Sequence, residues 1–571
     1  MSGAARAQTL RHVGNWTLFA LGAATFLMTV YGVVRHFSPV PLADQWDGNV
    51  AFFMRAAQNP LAAFFEQHNE HRLVFPRIFF YLDLRYLGGR NFLLIAANLA
   101  LGGCIGLLLF RIARHHARFP GVRSLGLAGV CLIVAFSWMQ GGNFFWGFQL
   151  QWFAVYLFAL CAFHCMDRCA EFVATREAGR ANAWLALALG SAVLSACSMS
   201  SGVLVFPVLF ALALYRRIGT GRVVVTAAVS AATLFAYFAN WHAPASSGGS
   251  PLAALREHPV QVLRYFILYL GSPAGQTALG SKGADVAGLI VLVTLLAHCA
   301  RLLFARGANV PKATSLLAMS LFVASNGFAT ACGRLSFGLE SALAGRYTTA
   351  SLTCWLALGL FTFLNASNRS GKRLTLVVAM AGVVLVASFE RLALRYDAKS
   401  IYALDVAGLA LRAHVYDPDF LLGAYPVPSA LEAIAKQAEP RGLAIFAKDQ
   451  TDYYVAPARI AAGTACEGKI ESIHATGTPG MLVAKGWIFD PHAGAVPRTI
   501  VATDADGNVL GTGIAGGKRH DIERVAGRDA LYSQWTAFLE AGDAQRVRIS
   551  GRLRDGTFCS LPEAATTRLA P

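Results

Sequence analysis

Side chains that can move protons or bind ions are concentrated in a polar stretch that follows the first apolar run of the sequence. The stretch opens with Asp44 and Asp47, and a second group follows: Glu66, His68, Asn69, Glu70, His71 and Arg72. Charged groups beside a membrane are costly unless they line a wet cavity. A carboxylate there can act as a general base on a sugar hydroxyl, or it can hold a divalent ion that neutralises a departing phosphate.

Asp44 is the leading candidate for the catalytic base, and Glu70 and Asp47 are the other two catalytic candidates. Either aspartate could instead cap a surface helix. A solvated face is the alternative for Glu66 and His68. The cofactor is unknown from the sequence; if it is a divalent metal ion, the ligands to expect are Asp44, Glu70 and His71. Their spacing matches no zinc signature.

Three arginines are candidates for binding a donor phosphate. Arg346 stands at the start of an apolar span, where its guanidinium can grip a lipid phosphate through two hydrogen bonds, and snorkelling is the alternative. Arg72 and Arg334 are the others, and Arg72 could equally pair with nearby carboxylates. An aromatic belt at the membrane surface explains Trp146 but not the amide of Gln149. The candidates for substrate binding are His68, Asn69, His71, Trp146, Gln149 and Tyr347.

The composition excludes a soluble globular protein, because 55% of the residues are hydrophobic and only 14% are charged. Apolar runs long enough to cross about 30 Å of hydrocarbon as helices recur along the chain. The sequence therefore predicts a polytopic α-helical membrane protein. We expect eleven spans, at about 15–35, 92–111, 124–140, 150–166, 183–198, 202–215, 223–240, 284–304, 314–331, 348–365 and 374–390.

The net charge of +17 follows the membrane rather than a nucleic-acid surface, so no nucleic-acid partner is expected. Alternate short loops carry clusters of arginine and lysine, as at 111–123 and 369–373, whereas the turn at 141–149 has neither. This positive-inside asymmetry predicts a cytoplasmic N-terminus. Eleven crossings of a bacterial inner membrane then make the loop that holds Asp44 periplasmic, together with the region after about residue 391.

Three regions are predicted along the chain. Residues 1–395 form a transmembrane domain with a long first periplasmic loop at 36–91, and residues 396–460 form a periplasmic helical connector. Residues 461–571 form a small β-sandwich, because short β-rich runs alternate there with turn residues. Cys466 and Cys559 bracket these strands, so an oxidising compartment favours a disulfide between them.

The order of these features resembles the membrane-embedded GT-C glycosyltransferases, which begin in the cytoplasm, place an acidic residue just after the first span and carry further spans and a periplasmic domain. The motifs QHNEHR at 67–72, NFFWGFQ at 143–149 and GRY at 345–347 are similar to those of a group of bacterial membrane proteins of that superfamily. The resemblance covers roughly residues 10–445. It implies a GT-C-like catalytic fold, puts Asp44 on the family's catalytic acidic position and gives Arg346 a phosphate-binding role.

A second likeness concerns the predicted strands. The segment KGWIFDP at 485–491, with SQW at 533–535, is similar to a small β-domain attached to bacterial glycosyltransferases. Trp487 and Trp535 could then stack on sugar rings, or they could be core residues of the domain.

Two functions from different classes follow. The resemblance implies a membrane glycosyltransferase that moves a sugar from a polyprenyl-phosphate donor to a periplasmic glycan or lipid-linked acceptor, so membrane lipid, donor and acceptor are the expected partners. The alternative is a transporter or flippase for a lipid-linked glycan. Transporters carry polar or broken helices near mid-membrane. The ionisable residues here cluster at the outer face instead, which favours the enzyme.

Overall fold

The protein is described by a computed structural model over residues 3–117, 121–243, 250–304, 310–395, 397–447, 458–461, 463–540, 546–562 and 564–565. The chain divides into two compact units. The first, here called the helical unit, comprises Met1–Arg35, Leu61–Phe79 and Leu94–Arg395. The second, the sheet unit, comprises His36–Pro60, Phe80–Leu93 and Tyr396–Pro571. The long loop after the first span is therefore divided between the two units.

Helices make up most of the described chain. In chain order they are α1 (Gly3–Arg35), α2 (Phe52–Gln58), α3 (Pro60–Phe65), α4 (Val74–Leu87), α5 (Phe92–Ala117), α6 (Val122–Ala135), α7 (Gly141–Phe145), α8 (Leu150–Ala174), α9 (Ala178–Ala196), α10 (Val205–Tyr215), α11 (Thr220–Phe238), α12 (Pro251–Glu257), α13 (Pro259–Leu270), α14 (Ser272–Gly275), α15 (Gly280–Phe304), α16 (Thr314–Arg334), α17 (Thr348–Asn365), α18 (Arg369–Phe389), α19 (Ala398–Arg412), α20 (Pro418–Leu421), α21 (Pro428–Ala438) and α22 (His520–Ala526).

Nine helical segments of the described chain are long and apolar enough to cross a membrane: Gln8–Arg35, Phe92–Ala117, Val122–Phe145, Gly147–Ala174, Thr220–Phe238, Gly280–Phe304, Thr314–Phe337, Gly345–Asn365 and Arg369–Leu394. The prediction of a polytopic helical membrane protein is thereby confirmed. The two other predicted spans fall on α9 and α10, which are outside this set. Helix α10 belongs to the apolar helical segment Ser200–Tyr215, and this segment is short for a full crossing of the membrane.

The helical unit is built around α8, whose large side chains are fully buried, among them Phe153, Tyr156 and Phe163. By contrast, most residues of α11 and α15 face outward, as expected for helices in contact with lipid. Helices α1 and α6 approach closely at Gly22 and Gly129, where an added Cβ would overlap the backbone of the other helix. Small residues at such crossings allow the dispersion contacts that hold membrane helices together.

The sheet unit contains the strands β1 (Thr464–Ala465), β2 (Glu467–Ala475), β3 (Met481–Phe489), β4 (Thr499–Thr503), β5 (Val509–Gly517), β6 (Gln534–Glu540), β7 (Arg546–Arg552), β8 (Phe558–Ser560) and β9 (Ala564–Ala565). They form one sheet in the order β1-β8-β7-β4-β5-β6-β3-β2, and β9 pairs with β7. Only β1 and β8 pair in parallel. Two packed sheets are predicted from the sequence, and the described strands instead join in a single sheet.

Alternation along the strands gives this sheet two apolar faces. On β6, Trp535, Ala537 and Leu539 belong to a core enclosed by the sheet itself, whereas Phe538 packs into a second core with helical residues such as Leu404. Helices α19 to α21 supply much of that second core. A helical layer thus covers the face of the sheet that is turned away from the core enclosed by the strands. Alternation alone shows that a face is buried but cannot show what buries it.

Cys466 and Cys559 form a disulfide, with their Cα atoms 5.2 Å apart. Both side chains are buried in the core enclosed by the sheet. Trp535 is fully buried there, so it is a core residue. Trp487 lies half-buried in the neighbouring strand β3.

Candidate functional site

Glu70 stands on a tight turn in the helical unit. The backbone amides of His68 and His71 each donate to the carbonyl of the other at 2.8 Å. Asn69, inside the turn, has a φ of +49°, a left-handed conformation that asparagine tolerates better than most residues. The Glu70 carbonyl also accepts a hydrogen bond from the Tyr237 hydroxyl at 3.2 Å. The backbone that carries the Glu70 carboxylate is therefore held in place by contacts on both sides.

The Glu70 carboxylate pairs with Arg334 at the C-terminal end of α16. Its Oε1 atom lies 2.6 Å from Arg334 Nη2 and 3.8 Å from His71 Nε2. The Arg334 side chain is 36% exposed and its guanidinium lies over the Phe337 ring at 5.5 Å. The neighbouring carboxylate and imidazole of Glu70 and His71 thus form one partly open cluster with a guanidinium that is 264 positions away in the sequence.

His71 has a defined tautomer in this cluster. The backbone N–H of Ser200 donates to His71 Nδ1 at 3.2 Å, and the Ser200 hydroxyl lies 2.8 Å from the same atom. Because an amide can only donate, Nδ1 is an acceptor and the neutral ring carries its proton on Nε2, the nitrogen nearer Glu70. The imidazole also satisfies one of the amides left without a partner where the helical segment Ser200–Tyr215 begins.

The two titratable groups influence each other. Burial acts to raise the pKa of Glu70, but the charges of His71 and Arg334 outweigh it, so the pKa is lowered from its ordinary value. Burial lowers the pKa of His71 to about 4, although the Glu70 carboxylate acts to raise it. The imidazole is therefore neutral at pH 7, so at that pH the neighbouring charge that favours the ionised form of Glu70 is that of Arg334.

Arg346 is the second cation of the site. Its guanidinium lies 5.0 Å from the centre of the Tyr347 ring, and its Nη2 atom is 3.5 Å from the Tyr347 hydroxyl. That hydroxyl is hydrogen-bonded to Tyr265, and Arg334 and Arg346 both lie within electrostatic reach of Tyr265. Arg346 itself is exposed, and none of the carboxylates that the structure describes forms an ion pair with it. Its charge is available to an anion.

The third predicted phosphate-binding residue, Arg72, is occupied by the backbone. Its three nitrogens donate to the carbonyls of Tyr237 at 2.7 Å, Phe65 at 2.6 Å and Ala239 at 2.5 Å. The guanidinium thereby caps the end of α11 and ties it to α3. These acceptors are backbone carbonyls rather than the carboxylates that one of the two alternatives from the sequence predicts.

His68, at one end of the turn, and Arg77, at the start of α4, are both buried. His68 is 6% exposed and meets the Phe148 ring edge-on at 5.4 Å, and Phe148 in turn contacts Trp146 at 6.1 Å. The expectation of a solvated face is therefore wrong for His68. Arg77 is fully buried and donates to the carbonyl of Glu66 at 2.7 Å and to its carboxylate at 3.2 Å.

The polar segment before α8 positions Arg346. Asn143 donates to the backbone carbonyl of Arg346 at 3.1 Å and to the Thr349 hydroxyl at 2.8 Å. Gln149 is 4% exposed, and its side-chain oxygen has no hydrogen-bond partner among the described groups. The Asn143 amide therefore holds the start of α17 in place.

Asp44 and Asp47 belong to the sheet unit. The Asp44 carbonyl accepts a hydrogen bond from Gly48 at 2.6 Å, and Asp47 lies 3.4 Å from Arg55 with both side chains 41% exposed. Two of the three predicted catalytic carboxylates are thus in one unit, and the third, Glu70, is in the other.

No group of three or more His, Cys, Asp or Glu side chains within the described ranges is arranged to hold a metal ion. Of the three predicted metal ligands, Glu70 and His71 are neighbours, and Asp44 belongs to the sheet unit.

Sequence reasoning misses several parts of this cluster. Ser200, Tyr237 and Trp241 all contact the turn, the last through a hydrogen bond from its indole to the Glu70 carbonyl at 3.4 Å. The one sequence feature that could have identified these residues is that each lies near the end of an apolar run. Polar and aromatic residues at such positions are common in membrane proteins, so the feature is not specific. The chain matches no protein-family model, no curated protein and no solved structure.

Proposed function

We propose that this protein is a membrane glycosyltransferase that takes a sugar from a polyprenyl-phosphate donor and adds it to a glycan or a lipid-linked acceptor. The observation that carries the proposal is Arg346, an exposed guanidinium with no carboxylate partner among the described residues, which, like the Arg334 of the Glu70–Arg334 pair, is in electrostatic contact with Tyr265. A lipid phosphate joins an apolar chain to an anionic group. A guanidinium at the start of an apolar helix can bind the phosphate while the helix contacts the apolar chain.

The reaction is a direct displacement. The acceptor hydroxyl attacks the anomeric carbon, the bond from that carbon to the phosphate oxygen breaks, and the electron pair stays on the phosphate. Arg346 holds the phosphate through charge-assisted hydrogen bonds, which are stronger than neutral ones. A carboxylate accepts the proton of the attacking hydroxyl.

Two carboxylates compete for that proton. The resemblance to GT-C enzymes favours Asp44. The local contacts favour Glu70, because it shares the helical unit with Arg346 and sits on a fixed turn. We assign the base to Glu70.

We also propose that the site faces the periplasm of a bacterial inner membrane and that the N-terminus is cytoplasmic. The support is the distribution of arginine and lysine between alternate loops. Nine and eleven crossings are both odd numbers, so either count puts the two ends of the spanning region on opposite sides.

The test is sugar transfer from a radiolabelled polyprenyl-phosphate sugar by purified protein in detergent, where transport across a membrane cannot occur. Arg346→Ala should lower donor affinity roughly tenfold to a hundredfold, the value of a charge-assisted contact, and Arg346→Lys should recover part of it. Arg180→Ala is the matched control, because this exposed arginine already pairs with Glu177 at 2.7 Å. Failure to transfer any such sugar, together with donor movement in proteoliposomes, would establish the flippase instead.

A further inference from the structure

Three charged side chains define the resting state of the site. Glu70 and Arg334 neutralise each other across 2.6 Å, and Arg346 has no carboxylate partner in the described part of the chain. Both guanidinium groups lie within electrostatic reach of the hydrogen-bonded pair Tyr265 and Tyr347. Together the three side chains offer one uncompensated positive charge.

The proposed substrate changes its charge during the reaction. A sugar joined to a lipid through one phosphate is a phosphodiester with one negative charge. When the sugar leaves, the phosphate becomes a monoester, whose charge approaches −2 because the second pKa of such a group is about 6. The resting site thus balances the donor but is one positive charge short of balancing the product.

We propose that Arg334 changes partner during the reaction, leaving Glu70 for the phosphate while Glu70 takes the proton from the acceptor hydroxyl. This inference rests on the proposed function. The bond between the anomeric carbon and the phosphate oxygen breaks, and the bond to the acceptor oxygen forms. The phosphate gains the charge that Glu70 loses, so the total charge is unchanged and every charged group keeps a partner.

The contacts of Arg334 allow this movement. Its hydrogen bond in the described structure is to Glu70, and its other contact is the stacking on Phe337. Arg334 is also partly exposed at the end of its helix. Arg72 differs from Arg334, because its guanidinium donates hydrogen bonds to three backbone carbonyls and is held in place by them.

The environment of Glu70 suits a carboxylate that becomes a stronger base when Arg334 leaves it. Burial acts to raise the pKa of Glu70, and the neighbouring positive charges hold it down. When Arg334 leaves, burial prevails and the carboxylate gains affinity for a proton. The base therefore becomes stronger as the phosphate takes on charge.

Binding of two synthetic probes to the full-length protein in detergent tests the exchange without any transfer reaction. Farnesyl phosphate is a dianion at pH 8, and farnesyl methyl phosphate, its diester, is a monoanion. In Glu70→Gln, Arg334 has no ionic partner, so affinity for the monoester should rise about tenfold while affinity for the diester changes less than about threefold. In the double variant with Arg334→Gln, the gain should disappear.

One further variant and two contrary outcomes make the result decisive. Arg334→Gln alone should weaken the monoester about tenfold and spare the diester, which covers the case in which Glu70→Gln does not fold. An equal gain for both probes, or a gain that persists without Arg334, overturns the exchange while the donor site stands. Equal binding of farnesol and both probes by every variant overturns the donor site itself, and the exchange with it.

Discussion

Two charged clusters of the helical unit differ in how completely they are satisfied. At Asp167, the carboxylate pairs with Arg216 at 3.2 Å and accepts hydrogen bonds from the Ser315 amide at 2.7 Å and from the Thr314 hydroxyl, and the residue is 3% exposed. At Glu70, both partners of the ion pair are partly exposed, and Arg346 nearby has no carboxylate among the described residues. The Asp167 cluster has its negative charge neutralised within the protein. The Glu70 cluster keeps one positive charge, that of Arg346, which an anionic ligand can neutralise.

This difference separates structural from functional charge in a membrane protein. A buried pair costs desolvation energy that is recovered only when all of its hydrogen bonds are made, as at Asp167. A partly exposed ion pair costs less desolvation energy to form, and the loss of one partner destabilises the protein less. The comparison predicts that changes at Glu70 act on activity, whereas changes at Asp167 act on stability.

The largest effect is expected from removal of the base. Glu70→Gln should lower the rate of sugar transfer by a factor of about 10² to 10⁴, the usual contribution of a general base, with little loss of stability. Transfer kinetics and thermal unfolding of the same preparation measure both quantities. Asp44→Asn is the matched variant of the other candidate, and Asp47→Asn should matter less than either. If Asp44→Asn abolishes transfer and Glu70→Gln does not, the base is Asp44.

The opposite result is expected at the satisfied cluster. Asp167→Asn leaves Arg216, whose side chain is only 13% exposed, without its counter-ion, which should lower the free energy of unfolding by about 3 kcal/mol. Thermal unfolding in detergent measures the loss. Transfer by the fraction that remains folded should be close to that of the wild type. A stable but inactive variant would show that the comparison between the two clusters is wrong.

A smaller effect concerns pH. Burial lowers the pKa of His71 to about 4, so the unfolded chain binds a proton at pH 5 that the folded protein does not. Stability contributed by this neutral histidine is therefore full above pH 6.5 and is lost as the pH falls toward 4. Between pH 7 and pH 5 the cost is about 2 kcal/mol.

The measurement is the unfolding temperature at these two pH values in the wild type and in His71→Asn. The variant should lose this part of the pH dependence, since asparagine does not titrate in this range. An unchanged pH dependence would place the responsible group elsewhere.

Sequence reasoning recovers the membrane-spanning helices because a span needs a long apolar run, and such a run is local. It also selects Glu70, His71, Arg334 and Arg346, because charge beside an apolar run is conspicuous. It cannot pair them. Glu70 and Arg334 are 264 positions apart, and only the packing of the helices decides which cation meets which carboxylate.

The same limit explains the residues whose roles sequence reasoning leaves open. Arg72, like Arg334, stands beside an apolar run, yet the backbone carbonyls of Phe65, Tyr237 and Ala239 accept hydrogen bonds from its three nitrogens. In the sheet unit, alternation identifies the strands, but the helices that cover one face come from elsewhere in the chain. Local patterns therefore predict elements, and distant contacts decide what the elements do.

The disulfide has a consequence for the order of events during synthesis. Cys466 and Cys559 are 93 positions apart, so β2 to β7 lie within the covalent loop. That loop cannot close before Cys559 has left the ribosome, so until then the strands between the two cysteines can pair only without the help of the cross-link. Closing it late then removes roughly 4 to 5 kcal/mol of chain entropy from the unfolded state. The cross-link acts as a lock on a sheet that is already assembled rather than as a guide to its assembly.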